Sequence, residues 1–189
     1  MMQRLGVLRR DISVLHFAPE PGLFRSLSKV CRGYTAADYN ASAHKNWKPR
    51  VNFVDLCNFD GQFRGPYDLI IHNHVLEHLP CKPSSVLNNL IGRLSDNGLM
   101  LFTVPIRLNS KTDEDLGELS KSERQLRFGQ FDHLRIFGDI DVLQELAGPE
   151  RNTIEAIDPM QYVAEFELKM HSIPVNLAKF DGNTIFCAK

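Results

Sequence analysis

Apolar residues in this chain fall into short blocks with two alternating spacings. Residues 11–17, DISVLHF, end in a compact apolar run that predicts a buried first strand. PEPGLFRSLSKVCRG then turns through proline and glycine into helical spacing. Leu23, Leu27, Val30 and Cys31 fall on one stripe, and Gly33 ends it. GYTAADYN reads as a short second strand with Asp38 at its carboxyl end, and RVNFVDLCNFDG as a third that ends at Asp55. YDLIIH is apolar on both faces, the mark of a strand covered on both sides. SSVLNNLIGRLSDNG predicts a helix with Ser84 or Ser85 as N-cap and Asn97-Gly98 as terminator. LMLFTVP, residues 99–105, is the next buried strand.

The pattern breaks at residues 107–127, RLNSKTDEDLGELSKSERQLR, which are charged throughout and poor in apolar residues. A connection of this length reads as a solvated loop, functional or mobile. DIDVLQELAG then predicts an amphipathic helix closed by Gly148, and TIEAI, AEFELKM and NTIFCAK predict further strands. Strands alternating with helices predict an α/β fold: a Rossmann-like, open, mainly parallel twisted sheet of about seven strands with helices on both faces. The whole of residues 1–189 reads as one domain with a charged insertion near 107–136. Ligands of such sheets bind in the crevice at the carboxyl ends of the strands, so the residues just past each strand are the candidates.

Composition narrows the classes. The chain has 189 residues, 43% of them hydrophobic and 24% charged, ordinary for a soluble globular protein. A net charge of -1 supplies no global drive toward nucleic acid or an anionic membrane. The basic start, MMQRLGVLRR, lacks the apolar run of a signal peptide, and no stretch approaches the roughly 20 apolar residues of a membrane span. Cys31, Cys57, Cys81 and Cys187 are scattered without a C-x-x-C pair, which predicts neither structural zinc nor a disulfide and suits the cytoplasm.

One segment has two readings. In HNHVLEHLP, His74, Glu77 and His78 match the H-x-x-E-H pattern of inverted zinc metallopeptidases. That chemistry needs a sustained helix and a third ligand, whereas this segment follows a buried strand and meets Pro80 and Pro83. The expectation is therefore no metal, with Glu77 pairing locally and His78 packed under the loop. A divalent ion at His74, Glu77 and His78 is the lesser alternative.

In their order, several pieces resemble the class I S-adenosylmethionine-dependent methyltransferases, over roughly residues 12–148. They are an apolar strand entering a glycine-bearing turn, acidic residues ending strands two and three, YDLIIHNHVLEHLP before LIGRLSDNGLMLFTVP, and FDHLRIFGDIDVLQELAG. VLHFAPEPGL is similar to a subset whose first loop carries Leu-His-Phe-Ala-Pro-Glu. Aligned on the strand, residues 16–22 keep only Gly22 of the usual glycine-rich loop, and Pro19 and Pro21 remove amide donors.

The resemblance implies S-adenosylmethionine as cofactor. It places Phe17, Ala18, Glu20 and Gly22 in the first loop, with Glu20 as substitute for the customary acid. Asp38 would take the ribose hydroxyls, Asp55 and Leu56 would border the adenine, and Asn73 would lie beside the methionine part. His74 and His133 are the candidate bases for a hydroxyl acceptor. Each has a plainer reading: turn aspartates, a strand-end polar cluster, a structural histidine. Arg135 is either an anion contact or a surface ion pair. The implied acceptor is a small molecule or a sugar-like glycan intermediate, with no nucleic-acid or membrane partner. The alternative is a non-catalytic protein of the same fold that works through a partner.

Overall fold

The structure is a computed structural model that describes residues 10–59, 62–149, 151–170 and 180–189. Most of the basic amino-terminal stretch read above, residues 1–9, lies outside this range. Strands β1 (Ser13–Phe17), β2 (Gly33–Asp38), β3 (Val51–Phe53), β4 (Tyr67–Asn73) and β5 (Leu94–Thr103) follow the apolar blocks. Helices α1 (Pro21–Val30) and α2 (Pro83–Ile91) lie between them. Beyond β5 come β6 (Ile106–Arg107), β7 (Asp113–Glu114), α3 (Lys121–Phe128), β8 (Arg135–Gly138), α4 (Val142–Ala147), β9 (Ile154–Ile157), α5 (Glu165–Met170) and β10 (Ile185–Ala188).

Seven strands form one sheet in the order β3-β2-β1-β4-β5-β10-β9. The first five are parallel, while β10 runs antiparallel between β5 and β9. Alternate residues face opposite sides. Val14, Leu69, Ile71 and Leu101 pack with Leu27 of α1. Leu15, Phe17, Ile70, Met100 and Phe102 pack with Val86, Leu87 and Leu90 of α2 and with Val142 and Leu146 of α4. Strand order reverses between β1 and β4, which opens the crevice at their carboxyl ends.

Four expectations are corrected. Helix α2 starts with Pro83 at its first position and ends at Gly92, so Ser84 and Ser85 lie inside it. Asn97-Gly98 belongs to β5, at a register shift against Tyr67 and Leu69. A Cβ at Gly98 would stand 2.7 Å from the Tyr67 carbonyl, so the close approach of the two strands requires glycine there. Strand β3 stops before Asp55, because that carboxylate turns the chain by accepting from the Cys57 amide at 2.9 Å and from Asn58 at 2.7 Å. AEFELKM is helical, since Phe166 and Met170 also fit an i, i+4 pair and Glu165 and Lys169 form another at 2.5 Å.

The charged segment is also not a loop. Strands β6, β8 and β7 form a small sheet, and α3 begins with a capping box between Ser120 and Glu123. Arg127 joins the pieces by pairing with Asp113 at 2.8 Å and Asp115 at 2.6 Å. Among the described residues no helix is long and apolar enough to cross a membrane.

His72 lies in the core, stacked on Phe102 at 4.8 Å, and neither ring nitrogen has a hydrogen-bond partner among the described residues. Burial, helped by nearby His16, pushes its pKa down to about 3 from 6.5. The unfolded chain therefore takes up a proton below pH 6.5 that the folded chain refuses. Stability should be full above that pH and fall as pH drops toward about 3. At about pH 4.5 the loss should be on the order of 2–3 kcal/mol. His72→Phe should flatten this limb when urea midpoints at about pH 7 and about pH 4.5 are compared.

Candidate active site

Two cavities open at the carboxyl edge of the parallel strands. The larger, about 550 Å³, is walled by Phe17 and Ala18 after β1, Asp38 and Tyr39 after β2, and Val54 to Asn58 after β3. His74, Val75, His78, Leu79, Pro80 and Asp132 close its other side. The smaller, about 460 Å³, lies toward β5 and β10 and includes Glu20, Asn73, His74, Thr103 and Asn183 in its lining. His74 lines both cavities.

The lining groups are held in place by local bonds. Asp38 accepts from the Asn40 amide at 2.7 Å and pairs with His44 Nε2 at 3.0 Å. Asp55 sits below the usual carboxylate range because the Asn58 side chain and the Cys57 amide donate to it. Leu56 is buried and supplies apolar wall. Ala18 has φ 44°, the left-handed region that glycine normally fills, while its amide donates to the Ala37 carbonyl at 2.9 Å.

Glu20 bridges the first loop to β4. One oxygen accepts from Asn73 at 2.7 Å and the other from His16 Nε2 at 3.0 Å. The opposite nitrogen of His16 meets the Tyr34 hydroxyl at 2.8 Å. Burial opposes ionisation of Glu20, but the bonds from His16 and Asn73 outweigh it and hold the carboxyl below its usual range. His74 also adopts a left-handed φ of 50°, and its Nδ1 lies 3.2 Å from Glu77 Oε1. That bond raises its pKa, against a smaller opposing effect of burial.

Below His74 runs a strap, residues 76–81, joining β4 to α2. Its carbonyls face Arg135 of β8, which is 1% exposed. Arg135 donates to Leu76 at 2.5 Å, Leu79 at 2.7 Å and Cys81 at 3.4 Å, and its Nε pairs with Glu114 at 2.6 Å. The Leu134 amide donates to the Glu77 carbonyl at 2.8 Å. Arg135 is thus neither an anion contact nor a surface pair. His133 is 3% exposed behind Glu77 and lines neither cavity. Gly22 lies exposed in the first turn of α1, also outside both.

A further correction concerns the cysteines. Cys57 and Cys81 are joined as a disulfide that ties the Asp55 turn to the strap. Sequence spacing could not show it, because the two meet only when β3 and β4 are aligned across β1 and β2.

A model of the methyltransferase domain family matches residues 2–147. The chain belongs to this family. Solved methyltransferases share its fold. The 1,6-didemethyltoxoflavin-N1-methyltransferase of Burkholderia thailandensis, solved with 1,6-didemethyltoxoflavin and S-adenosylhomocysteine, superposes with TM-score 0.55 at 17% identity, covering 99% of this chain and 72% of that one. DhpI in its S-adenosylhomocysteine complex gives 0.55 at 16% identity, covering 99% and 79%. The plantazolicin methyltransferase BpumL, in complex with a pentazolic desmethylPZN analog and S-adenosylhomocysteine, gives 0.53 at 15% identity, covering 94% and 75%. No curated protein matches the chain in sequence.

Of the ten residues singled out in the sequence of this methyltransferase, Phe17, Ala18, Asp38, Asp55, Leu56 and His74 meet in the larger cavity. Glu20 and Asn73 meet in the smaller one, again with His74. Tyr39, Val54, Leu79 and Asp132 went unrecognised in the sequence, and for Asp132, far along the chain, no local signal existed. Arg135→Met should lower stability in urea titration by about 3 kcal/mol, since it removes the guanidinium that bonds the Leu76, Leu79 and Cys81 carbonyls and pairs with Glu114. Glu114→Gln, which alters only a half-exposed partner, should cost less than about 1 kcal/mol. Cys81→Ser, or reduction of the wild type, should speed amide hydrogen exchange at residues 55–58 while β1 and β4 stay protected.

Proposed function

We propose that this methyltransferase binds S-adenosylmethionine in the 550 Å³ cavity and methylates a small-molecule or sugar-like acceptor that enters through the 460 Å³ one. The observation that carries this reading is that one residue, His74, lines both cavities. The lining suits the cofactor: two carboxylates at successive strand ends, an apolar wall from Val54, Leu56 and Leu79, and the half-buried Ala18 just past β1. The solved relatives were crystallised with S-adenosylhomocysteine, the demethylated product of the same cofactor.

Asp38 takes the ribose hydroxyls. Each of its oxygens already holds one donor, and a carboxylate oxygen has a second lone pair to offer. Asp55 accepts from the adenine amine, and Leu56 covers the ring. Phe17 and Ala18 present the first loop. Glu20 and Asn73, locked to each other, reach the methionine end only where the cavities join. Gly22 has no part in this.

Bound S-adenosylmethionine supplies a methyl group on a positively charged sulfonium. The chain's task is then to align the acceptor and exclude water. His74 stands at the junction with its Nδ1 held by Glu77, so Nε2 is free to take an acceptor proton. His133, walled off behind Glu77, has no route to an acceptor.

Titration calorimetry with S-adenosylmethionine and S-adenosylhomocysteine tests the reading. Both should bind well below about millimolar, and Asp38→Ala should weaken them at least about tenfold without loss of the circular-dichroism signal. Folded protein that binds neither would favour a non-catalytic protein of this fold. Unchanged affinity in Asp38→Ala would remove Asp38 from the site.

A further inference from the structure

Behind His74 the structure gathers three potential metal donors, of which the methyl-transfer reading gives a task only to Glu77, through the oxygen that holds His74. They are the Glu77 carboxylate and the imidazoles of His78 and His133, whose ligand atoms lie within 4.8 Å of one another. Glu77 is 0% exposed and His133 is 3% exposed. Glu77 Oε2 and His133 Nε2 are buried without a hydrogen-bond partner among the described residues. Buried polar atoms are almost always satisfied, so two adjacent orphans call for a group that both could face. They do not satisfy each other: His133 Nε2 is 3.9 Å from the nearer carboxylate oxygen, Oε1, too far for a hydrogen bond.

The surroundings set the tautomers. His133 Nδ1 lies 3.2 Å from the Phe128 carbonyl, and His78 Nδ1 lies 3.3 Å from the Asp132 carbonyl. A carbonyl only accepts, so Nδ1 of each ring carries the proton and Nε2 of a neutral ring keeps its lone pair. Histidines that ligate metals are oriented in this way, with the second nitrogen donating to a carbonyl or carboxylate. Glu77 Oε1 is taken by His74, which leaves Oε2 available.

We propose that Glu77, His78 and His133 form a site for one divalent transition-metal cation of the zinc type, with an open coordination position bordering the cavity that His78 and Asp132 line. Two imidazoles and one carboxylate are a zinc donor set that leaves a position open, whereas calcium and magnesium prefer oxygen ligands throughout. Tetrahedral bonds of about 2.1 Å place donors about 3.4 Å apart, so the cluster must contract by up to about 1.4 Å from its 4.8 Å limit. His78, 34% exposed on the strap, has the freedom to swing inward. The ligand set is not the H-x-x-E-H triad of the sequence. His74 remains at the cavity junction, and the third ligand arrives from the segment before β8, carried there by Arg135. The ion would cross-link that segment to the strap, independently of whether a cofactor occupies the cleft.

The test uses the full chain, oxidised at Cys57–Cys81, titrated with Zn²⁺ against a chromophoric chelator and with Co²⁺ followed by its visible spectrum. Wild-type protein should take up one Zn²⁺ per chain, and Co²⁺ should give a tetrahedral spectrum without thiolate charge transfer, which excludes Cys31 and Cys187. His78→Asn, on the accessible side, should keep the fold by circular dichroism and bind at least about tenfold more weakly. His133→Gln should do the same where it folds. Folded wild type that takes up no zinc, or His78→Asn with wild-type affinity, overturns the proposal.

Discussion

The guanidinium of Arg135, buried at the start of β8, hydrogen-bonds to the carbonyls of Leu76, Leu79 and Cys81, to which the short turn of the strap brings one amide of its own, Leu79 to Leu76 at 3.4 Å. Removing a guanidinium from water is unfavourable, and only a set of acceptors this complete makes it tolerable. The strap in turn fixes His78, Leu79 and Pro80 as one wall of the larger cavity and sets Glu77 beneath His74. The small sheet and α3 therefore serve the site from a distance. Their ion pairs around Arg127 hold β7, and β7 pairs with β8 to aim Arg135.

The central strands of the main sheet were legible because they are buried on both faces and apolar, as in Leu69 to Ile71 and Leu99 to Phe102. Residues at strand ends inherited their placement from the strand order, which is why Asp38 and Asp55 could be located without a glycine-rich loop. Illegible features depend on contacts between distant segments. Nothing near Cys57 points to Cys81, and nothing near Arg135 states that three carbonyls await it. The charged segment misled for a related reason. Capping boxes and multidentate arginine pairs build structure from polar residues, and hydropathy patterns are blind to them.

His74 and Ala18 both hold left-handed backbone without being glycine, which costs on the order of 1 kcal/mol or more at each. Both sit at the cavity, on the two strands flanking the point where strand order reverses. Each is held by neighbours: Ala18 through the Ala37 carbonyl, and His74 through the Thr103 carbonyl at 3.1 Å and Glu77. A site that retains two such residues has its side-chain directions set by the fold before any ligand arrives.

The first loop shows what that rigidity means for association. Proline at positions 19 and 21 and the double hold on Glu20 leave few conformations to the segment that a glycine-rich loop would keep open. A ligand that docks against it has little disorder to remove, so the entropy given up on binding falls mainly on the ligand itself. The loop has lost the amide donors of positions 19 and 21 in exchange for that stiffness. For such a ligand, affinity would depend on shape already present, and exchange of one bound molecule for another would not wait for a loop to open.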